Sequence, residues 1–451
     1  MKSEIETITY SNGDRQRVQI VTLDNWEQID FLTPEYSEES FLKICNLYRY
    51  FIVPKCPWIF GQMILFRLPA GYPSDHLTYR SKEYGTVSDS VSAAAITLKK
   101  GLTLIGGKPF FRSSSARKLW DDLKSAGCIQ IIRGFLPFTT VLPVGNSFGF
   151  LSMCEEGAQL KANSSFFIMD RFDCGSIYDV IGTPFGLTVY RGTAISPPLF
   201  GREALLVREG GRVSVEVPSL SDLEVEINGY LLKAGETACV YSRPEFRKTG
   251  RTEGTDLVII GSRVAAVHPG GRTVVPSSGF VLRIPDSERA LGVKPGDSVF
   301  YPGFKNVLFG VQAGNSVVRN GKKSDSFLSP FYNIRKPWTN SYPPSLYPLG
   351  YKTDRAPRMV LGESRDGKPM LIWAEGAAKF GYHPGDFSCG ATLSEMADIC
   401  SRFGMKNGIN LDGGGSAQIL IRNRRFMKVS DRNREDFSET ERAVPTGLIV
   451  R

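Results

Sequence analysis

One short run near the C-terminus, Asn410-Leu411-Asp412-Gly413-Gly414-Gly415-Ser416, constrains the fold more than any other segment of this chain. Residues 393–403 before the run carry apolar side chains at helical spacing, and Gly404 fits the position just after a helix. Residues 416–422 have the composition of a buried strand. Because glycines carry no side chain, the backbone between these elements can approach a ligand closely. The pattern predicts that Asp412 lies at a strand end, in a geometry that suits catalysis.

The composition is that of a globular protein rich in strands and turns. The 451 residues include 28 Phe, 17 Tyr, 46 Gly and 27 Pro, and the length favours two or three domains. The net charge of +9 is spread along the chain, with no aromatic-basic interleaving and no helix-turn-helix signature, so we expect no nucleic-acid partner. Three His and eight Cys without a CxxC pair argue against a multi-His metal site and a zinc site.

The sequence carries no recognisable export or membrane signal. The N-terminal segment MKSEIETITYSNGDRQRV lacks the apolar stretch of a signal peptide, which predicts a cytoplasmic location, with export by a non-classical route as the alternative. Residues 50–66 are apolar, but Pro54, Lys55 and Pro57 interrupt them, so they predict buried core and no membrane span.

The chain divides into two predicted parts. Residues 1–130 form an N-terminal accessory module of unknown role, and residues 131–451 form a domain of successive strands and turns. Within this domain, residues 323–357 are rich in proline and are a candidate active-site loop. Residues 358–376 predict a hairpin that turns at Asp366-Gly367. The expected fold class is α+β, with a mixed, largely antiparallel sheet, flanking helices and the accessory module.

Several segments follow one another in the order that is seen in the phosphodiester glycosidase family, and the chain resembles this family over roughly residues 130–451. The most specific are KANSSFF (161–167), APRMVLGESRDGKPMLIWAEG (356–376), GATLSEMADICSRFGMKNGINLDGGGSAQILI (390–421) and ERAVPTGLIV (441–450). The ordered set is much more specific than any single glycine-rich motif. The resemblance implies hydrolysis of a sugar-1-phosphodiester on the sugar side of the phosphate, and most relatives are exported.

This chain departs from the family pattern at three places. The family usually shows Asn-Gly-Gly-Phe-Phe, where this chain has Asn163-Ser164-Ser165-Phe166-Phe167. It usually shows Arg-Thr where this chain has Arg358-Met359, and often Asp-Gly-Arg where this chain has Glu375-Gly376-Ala377. The first two departures motivate an alternative, in which the chain is a degenerate relative that binds a phosphorylated glycan or a phosphate-containing polymer without cleaving it.

The implied chemistry assigns two catalytic carboxylates. Glycosidic cleavage passes through an oxocarbenium-like transition state, which a carboxylate stabilises or attacks, or for which it activates water. Asp412 is the first candidate and Glu375, at the end of a predicted strand, is the second. The alternatives are a turn aspartate for Asp412 and an ordinary solvent-facing charge for Glu375.

The remaining candidates bind the substrate. Arg358 and, as a second choice, Arg442 are expected to bind the phosphate, since a planar guanidinium suits bidentate contacts; a structural salt bridge is the alternative. Asn163 is expected to bind sugar hydroxyls or a catalytic carboxylate, or else to form a turn. The last group supplies main-chain N–H groups and a hydroxyl to the phosphate or the sugar: Gly413, Gly414, Gly415 and Ser416.

The resemblance implies no cofactor, and the expected partner is a phosphorylated sugar or glycan. Asp412, Glu375 and Asn163 are hard oxygen ligands that could hold a divalent cation, although direct catalysis is the preferred interpretation. His383 is interpreted as a loop residue and Cys389 as a buried small side chain rather than a nucleophile. The sequence does not indicate the oligomeric state.

Overall fold

The computed structural model describes residues 1–32, 61–67, 77–80, 95–98, 102–105, 108–125, 129–134, 139–142, 151–155, 157–168, 178, 184–243, 245–285, 292–324, 354–376, 388–431, 439–442 and 444–451. Strands dominate these residues, and the two α-helices among them are α1 (Ser114–Ser125) and α2 (Leu393–Arg402). The largely antiparallel sheet structure expected from the sequence is confirmed, although the strands divide among several sheets. With two helices in the described part, the finer assignment to the α+β class stays a prediction.

The strands of the N-terminal part are β1 (Lys2–Thr9), β2 (Arg15–Thr22), β3 (Ile29–Leu32), β4 (Gly61–Arg67), β5 (Leu77–Arg80), β6 (Ala95–Leu98), β7 (Leu102–Ile105), β8 (Lys108–Phe111), β9 (Ile129–Gly134) and β10 (Thr139–Leu142). Strands β5 to β8 form one antiparallel sheet. Strands β10, β4 and β9 form another, in which β10 and β4 are parallel. Of the apolar stretch 50–66, positions 50–60 lie outside the described residues, and the rest belongs to β4.

The middle of the chain contains β11 (Leu160–Asn163), β12 (Thr188–Tyr190), β13 (Thr193–Ser196), β14 (Ala204–Arg208), β15 (Val213–Glu216), β16 (Glu224–Ile227), β17 (Tyr230–Lys233), β18 (Cys239–Ser242), β19 (Arg251–Ile260), β20 (Arg263–Gly271), β21 (Gly279–Ile284), β22 (Val299–Phe300), β23 (Val307–Val311), β24 (Ser316–Arg319) and β25 (Lys322–Lys323). Three antiparallel sheets, in the orders β13-β12-β23-β14-β15, β17-β16-β22 and β18-β21-β19-β20, share one apolar core.

The C-terminal part contains β26 (Arg358–Ser364), β27 (Pro369–Ala374), β28 (Met405–Asn410), β29 (Ile419–Ile421), β30 (Arg424–Arg425) and β31 (Gly447–Val450). The predicted hairpin of β26 and β27 is confirmed, and Gly367 in its turn has a φ of +82°, which favours glycine. Every residue of both strands is buried, because both faces of their sheet are covered.

Two sheets hold the C-terminal part together. The central sheet has seven antiparallel strands in the order β1-β2-β27-β26-β28-β24-β25, and the second sheet has five in the order β3-β31-β11-β29-β30. Apolar residues of both sheets, such as Leu361, Trp373 and Leu448, form one core between them. On its other face the central sheet packs against α2, through residues such as Met396 and Ile372.

Helix α2 ends as its sequence predicts, and its start is capped as well. The Thr392 hydroxyl accepts a hydrogen bond from the Glu395 N–H, while the Glu395 carboxylate accepts one from the Thr392 N–H. Gly404 follows the helix with a φ of +78°. The helix therefore delivers the chain into β28 and then into the glycine run.

The N-terminal strands β1, β2 and β3 belong to these two sheets. Strand β1 pairs with β2, β2 pairs with β27, and β3 pairs with β31. The structure therefore differs from the predicted module 1–130 at its N-terminal end, because β2 and β3 pair with strands of the C-terminal part. A module built from the segments that follow β3 stays a prediction.

In the part of the chain that the structure describes, no helix combines the length and apolar character needed to cross a membrane.

Candidate active site

The three strand ends that carry the main candidates meet at one end of the central sheet. Strand β26 begins at Arg358, which is opposite Ala374, the last residue of β27. On the other side of β26, β28 ends at Asn410. Because the strands are antiparallel neighbours, Glu375 and Asp412 follow their strands at the same end where Arg358 begins. The structure thus brings together three residues that are well separated in the sequence.

The loop from Asp412 to Gln418 is fixed by Asn163, the last residue of β11. The Asn163 amide donates a hydrogen bond to the Asp412 carbonyl at 2.6 Å, and its side-chain oxygen accepts one from the Gln418 N–H at 3.0 Å. The Asp412 N–H donates to the Ser164 carbonyl at 3.0 Å. Asn163 is 1% exposed, so its polar groups hold the two ends of the loop together. This contact is structural, and the predicted contact of Asn163 with a sugar stays a prediction.

The first two glycines of the loop lie against the backbone before β26. A Cβ at Gly413 would stand 2.6 Å from the Pro357 carbonyl oxygen, so no side chain fits there. The Gly414 N–H donates a hydrogen bond to the same oxygen at 2.9 Å, and Gly414 has a φ of +58°. The hydrogen bond that the Gly414 N–H is predicted to donate to a substrate therefore competes with its main-chain hydrogen bond to Pro357.

The third glycine lies against a buried ion pair. Arg442 donates two hydrogen bonds to Asp431, from Nε at 2.9 Å and from Nη2 at 3.0 Å, and both side chains are buried. A Cβ at Gly415 would stand 2.1 Å from Asp431 Oδ1 and 2.4 Å from Arg442 Nη2. Arg442 Nη1 also lies 3.5 Å from the Ser416 hydroxyl. The glycine run thus lets the loop lie directly on a fixed guanidinium.

Asp412 has the electrostatic character of a functional carboxyl. It is partly buried, and burial raises its pKa from 3.8 to about 6. A hydrogen bond from Ser416, the charge of Arg442 and the Gly413 N–H oppose this rise, and the charge of Asp431 adds to it. A carboxyl with a pKa near neutrality can exchange protons during a reaction at physiological pH.

Glu375 lies at the same end of the sheet but is fully engaged by protein groups. Its Oε1 accepts from the Lys428 N–H at 2.7 Å and pairs with Arg17 Nη1 at 3.3 Å. Its Oε2 accepts from the Ser388 hydroxyl, and Glu375 is 5% exposed. The alternative of an ordinary solvent-facing charge is therefore wrong. These contacts fasten β2 and the segment after β30 to the sheet end, and the predicted catalytic role stays a prediction.

Arg358 is also buried, at 4% exposure, and its guanidinium donates hydrogen bonds to main-chain carbonyls. Its Nε donates to the Ala391 carbonyl and its Nη2 to the Asp354 carbonyl, each at 3.0 Å. These bonds connect the segment before β26 to the segment before α2. The phosphate contact of Arg358 stays a prediction. Arg442 is equally buried and is paired with Asp431, but its Nη1 lies 3.5 Å from the Ser416 hydroxyl of the glycine loop, which makes it the better candidate.

Arg358→Ala is expected to lower the melting temperature by several degrees, because two main-chain carbonyls lose a charged donor worth about 1.5–3 kcal/mol each. Differential scanning fluorimetry measures the change. Arg365→Ala, which removes an exposed arginine from the same hairpin, is the control and should leave the melting temperature unchanged. An unchanged melting temperature with a raised KM for phosphate-bearing substrates alone would assign Arg358 to the phosphate instead.

The serines that replace the family's two glycines are buried next to the loop. Ser164 and Ser165 are 1% and 2% exposed, and within the described residues neither side-chain oxygen has a hydrogen-bond partner. The Ser164 carbonyl still accepts the bond from Asp412. This main-chain contact does not use the Ser164 side chain, and the burial of the two hydroxyls could not be predicted from the sequence.

Sequence reasoning missed Asp431. It follows a short apolar segment in a polar turn, where an aspartate is ordinary, and nothing in its surroundings indicates that Arg442 is its partner. Only the contact with Arg442 makes it part of the site.

Other candidates fall outside the site or outside the described residues. Among the described residues, no group of three or more His, Cys, Asp or Glu side chains is placed to hold a metal ion. His383 and positions 325–353 of the proline-rich loop lie outside the described residues. Cys389 is partly buried, and burial raises the pKa of its thiol, in keeping with its interpretation as a small packed side chain.

Comparison with known proteins supports the resemblance for the part of the chain that carries the site. A model of the phosphodiester glycosidase family matches residues 253–451. No curated protein matches the chain in sequence.

Solved structures are similar to the chain at low identity. One is a hypothetical protein from Synechocystis, with 15% identity, a TM-score of 0.42 and coverage of 99% of this chain; this chain spans 61% of that protein. A second is the zebrafish N-acetylglucosamine-1-phosphodiester alpha-N-acetylglucosaminidase catalytic domain auto-inhibited by its pro-peptide, with 11% identity, a TM-score of 0.40 and coverage of 100% of this chain and 82% of that one. A third is a putative exported protein from Burkholderia pseudomallei, with 14% identity, a TM-score of 0.40 and coverage of 100% of this chain and 96% of that one.

Residues 253–451, which contain Arg358, Glu375 and the whole loop from Asp412 to Ser416, therefore match the phosphodiester glycosidase family, as the sequence motifs predict.

Proposed function

We propose that this protein hydrolyses a sugar-1-phosphodiester, releasing the free sugar and a phosphomonoester. The observation that carries the proposal is the position of Asp412: a partly buried carboxyl with a pKa of about 6, on a glycine loop that lies against the Arg442 guanidinium. Both groups belong to the segment that matches the phosphodiester glycosidase family.

In the proposed reaction, the bond between the anomeric carbon and the phosphate oxygen breaks, and its electron pair leaves with the phosphate. A water oxygen becomes bonded to the anomeric carbon, either directly or after attack by Asp412. The ionised Asp412 serves as nucleophile, as stabiliser of the oxocarbenium-like transition state, or as base for the water. The phosphate monoester is a good leaving group, so charge stabilisation matters more than a strong general acid.

Arg442 is the proposed phosphate ligand. Its guanidinium is fixed in orientation by Asp431 and lies within reach of Ser416, beside the candidate carboxylate. A fixed guanidinium can take the charge that develops on the phosphate without reorganising. Gly413, Gly415 and Ser416 are proposed to contribute a main-chain or hydroxyl donor.

We expect kcat/KM for a sugar-1-phosphodiester to rise with pH through about 6, because the ionised form of Asp412 is the reactive one. The measurement is a pH–rate profile that extends about two pH units to either side of this value. A rate that falls as the pH rises through the same range would make the protonated carboxyl the active form and would reverse the assigned role.

The test of the function is hydrolysis of a panel of sugar-1-phosphodiesters beside the matching para-nitrophenyl glycosides, with and without EDTA. Cleavage of a phosphodiester by the wild type, and not by Asp412→Asn, is the expected result. Loss of activity with EDTA would add a divalent cation to the site. The alternative is a degenerate relative that binds a phosphorylated glycan, and tight binding of N-acetylglucosamine-1-phosphate without any cleavage would support it.

The cytoplasmic location belongs to this proposal as a prediction.

A further inference from the structure

Asp431 is the second carboxylate beside the glycine loop. It is 6% exposed and binds Nε and Nη2 of Arg442, so two parallel hydrogen bonds fix the plane of the guanidinium. Arg442 is 5% exposed, and its carbonyl accepts a bond from the Gln418 side chain at 3.2 Å. Both ends of the arginine are therefore held in place.

The same guanidinium is connected to Asp412. Arg442 Nη1 lies 3.5 Å from the Ser416 hydroxyl, which belongs to the same loop as Asp412 and lowers the pKa of that carboxyl. Four side chains thus form a sequence of contacts, from Asp431 through Arg442 and Ser416 to Asp412. A carboxylate stands at each end and the cation lies between them.

We propose that Asp431 is a positioning residue that holds the Arg442 guanidinium beside Asp412. In this position the cation acts on Asp412 through Ser416, and it forms no direct ion pair with Asp412. The inference rests on the proposed function, in which Asp412 reacts and Arg442 binds the phosphate. A direct pair would hold the Asp412 carboxylate on the cation and would engage Nη1, the guanidinium nitrogen that faces Ser416 rather than Asp431.

Two described acidic residues close to Arg442 in sequence are paired with another arginine. Glu439 and Glu441 flank Arg442 in sequence, and both pair with Arg425, at 3.4 and 3.0 Å. Among the described residues, Arg442 and Asp431 are the charged groups that shift the pKa of Asp412. Within the described part of the chain, removal of the Asp431 charge leaves Asp412 as a carboxylate on which the Arg442 charge acts.

Two variants at this pair have opposite expected effects on the pKa of Asp412. Asp431→Asn keeps the shape and one acceptor for Arg442 but removes a negative charge, so the pKa of Asp412 should fall. Arg442→Gln removes the cation, so the pKa should rise. Direct loss of the Asp431 charge also lowers this pKa. The part that acts through Arg442 is therefore the difference between the shift that Asp431→Asn causes in the wild type and the shift that it causes in Arg442→Gln, and equal shifts in the two backgrounds would show that Asp431 does not position Arg442.

The chain offers a matched control for the loss of a buried ion pair. Asp256 is fully buried and binds Arg283 in the same forked manner, with Nε at 2.7 Å and Nη2 at 3.1 Å. This pair lies in the four-stranded sheet β18-β21-β19-β20. Asp256→Asn should lower stability as Asp431→Asn does, and it should leave Asp412 unaffected.

The experiment is a carbon-13 NMR titration of aspartate-labelled full-length protein, in which the Asp412 carboxyl is assigned by its absence in Asp412→Asn. The expected result is a pKa near 6 in the wild type and in Asp256→Asn, a lower value in Asp431→Asn and a higher one in Arg442→Gln. An unchanged pKa in Asp431→Asn would overturn the proposal. If that variant does not fold, an unchanged pKa in Arg442→Gln would overturn it equally.

This titration separates the inference from the proposed function. A wild type that cleaves no phosphodiester removes the function, while unequal shifts in the two backgrounds would still support Asp431 as the residue that positions Arg442. If the wild type is active, the acidic limb of the pH–rate profile should move to lower pH in Asp431→Asn. The value of kcat/KM should also fall by about tenfold or more, because the guanidinium turns toward Asp412.

Discussion

Asp412→Asn is expected to lower kcat for a sugar-1-phosphodiester by on the order of a thousandfold or more, with little change in KM. The amide keeps the size of the side chain and can still accept the Ser416 hydrogen bond, but it can neither ionise, attack the anomeric carbon nor accept a proton from water. Steady-state kinetics with purified wild type and variant measure the effect. A variant that retains full activity would show that Asp412 only supports the glycine turn.

The stability of the same variant provides the control for its fold. The folded protein holds the pKa of Asp412 above its ordinary value of 3.8, so folding favours the protonated form. This favourable contribution is complete below pH 3.8 and is lost as the pH rises through about 6. The difference of about two pKa units corresponds to at most about 3 kcal/mol.

Because asparagine does not titrate, the melting temperature of Asp412→Asn relative to the wild type should increase as the pH rises from about 4 to about 7. A large drop in melting temperature at both pH values would instead mean that the carboxyl stabilises the fold. Activity and stability should therefore change in opposite directions at neutral pH, as is common when a strained group serves catalysis.

Gly415→Ala is expected to cost about a hundredfold in kcat/KM, although it adds one methyl group and changes no charge. The added Cβ would stand 2.1 Å from Asp431 Oδ1 and 2.4 Å from Arg442 Nη2, so the ion pair or the loop must move. A displacement of about 1 Å at a catalytic group is sufficient for a loss of this size. We also expect about 1–3 kcal/mol of destabilisation from overpacking.

Gly414→Ala is the matched control for this variant. A Cβ at Gly414 would meet nothing within 4 Å, and the cost is the strain of its φ of +58°, about 1 kcal/mol. Comparable losses of activity in the two variants would show that loop flexibility matters, and that the contact with the ion pair does not.

Much of the local structure around the site could be predicted from the sequence. The helical spacing before Gly404, the Asp366-Gly367 turn and the position of Asp412 after a strand are confirmed. Each of these depends on residues that are neighbours in the chain, where periodicity, turn preference and the absence of a Cβ act directly.

The roles of single side chains could not be predicted in the same way. Arg358 is the first choice for the phosphate by its sequence context, but its donors bind two main-chain carbonyls. The sequence around Asp431 predicts no functional role for it, but its carboxylate accepts two hydrogen bonds from Arg442. An arginine whose donors bind main-chain carbonyls and an arginine that a carboxylate holds beside the glycine loop have the same sequence pattern, and only the acceptors around each guanidinium distinguish them.

The sequence by itself determined the family resemblance of the C-terminal part, its antiparallel strands and the glycine loop with its carboxylate. The tertiary structure decided which strands are neighbours, including the pairing of β2 with β27 and of β3 with β31, because such pairings depend on the burial of surfaces from distant segments. It also decided that Asp412, Ser416, Arg442 and Asp431 form one electrostatic unit. Charge interactions depend on the distance between the groups in space and on local burial, and neither quantity can be read from the order of the residues.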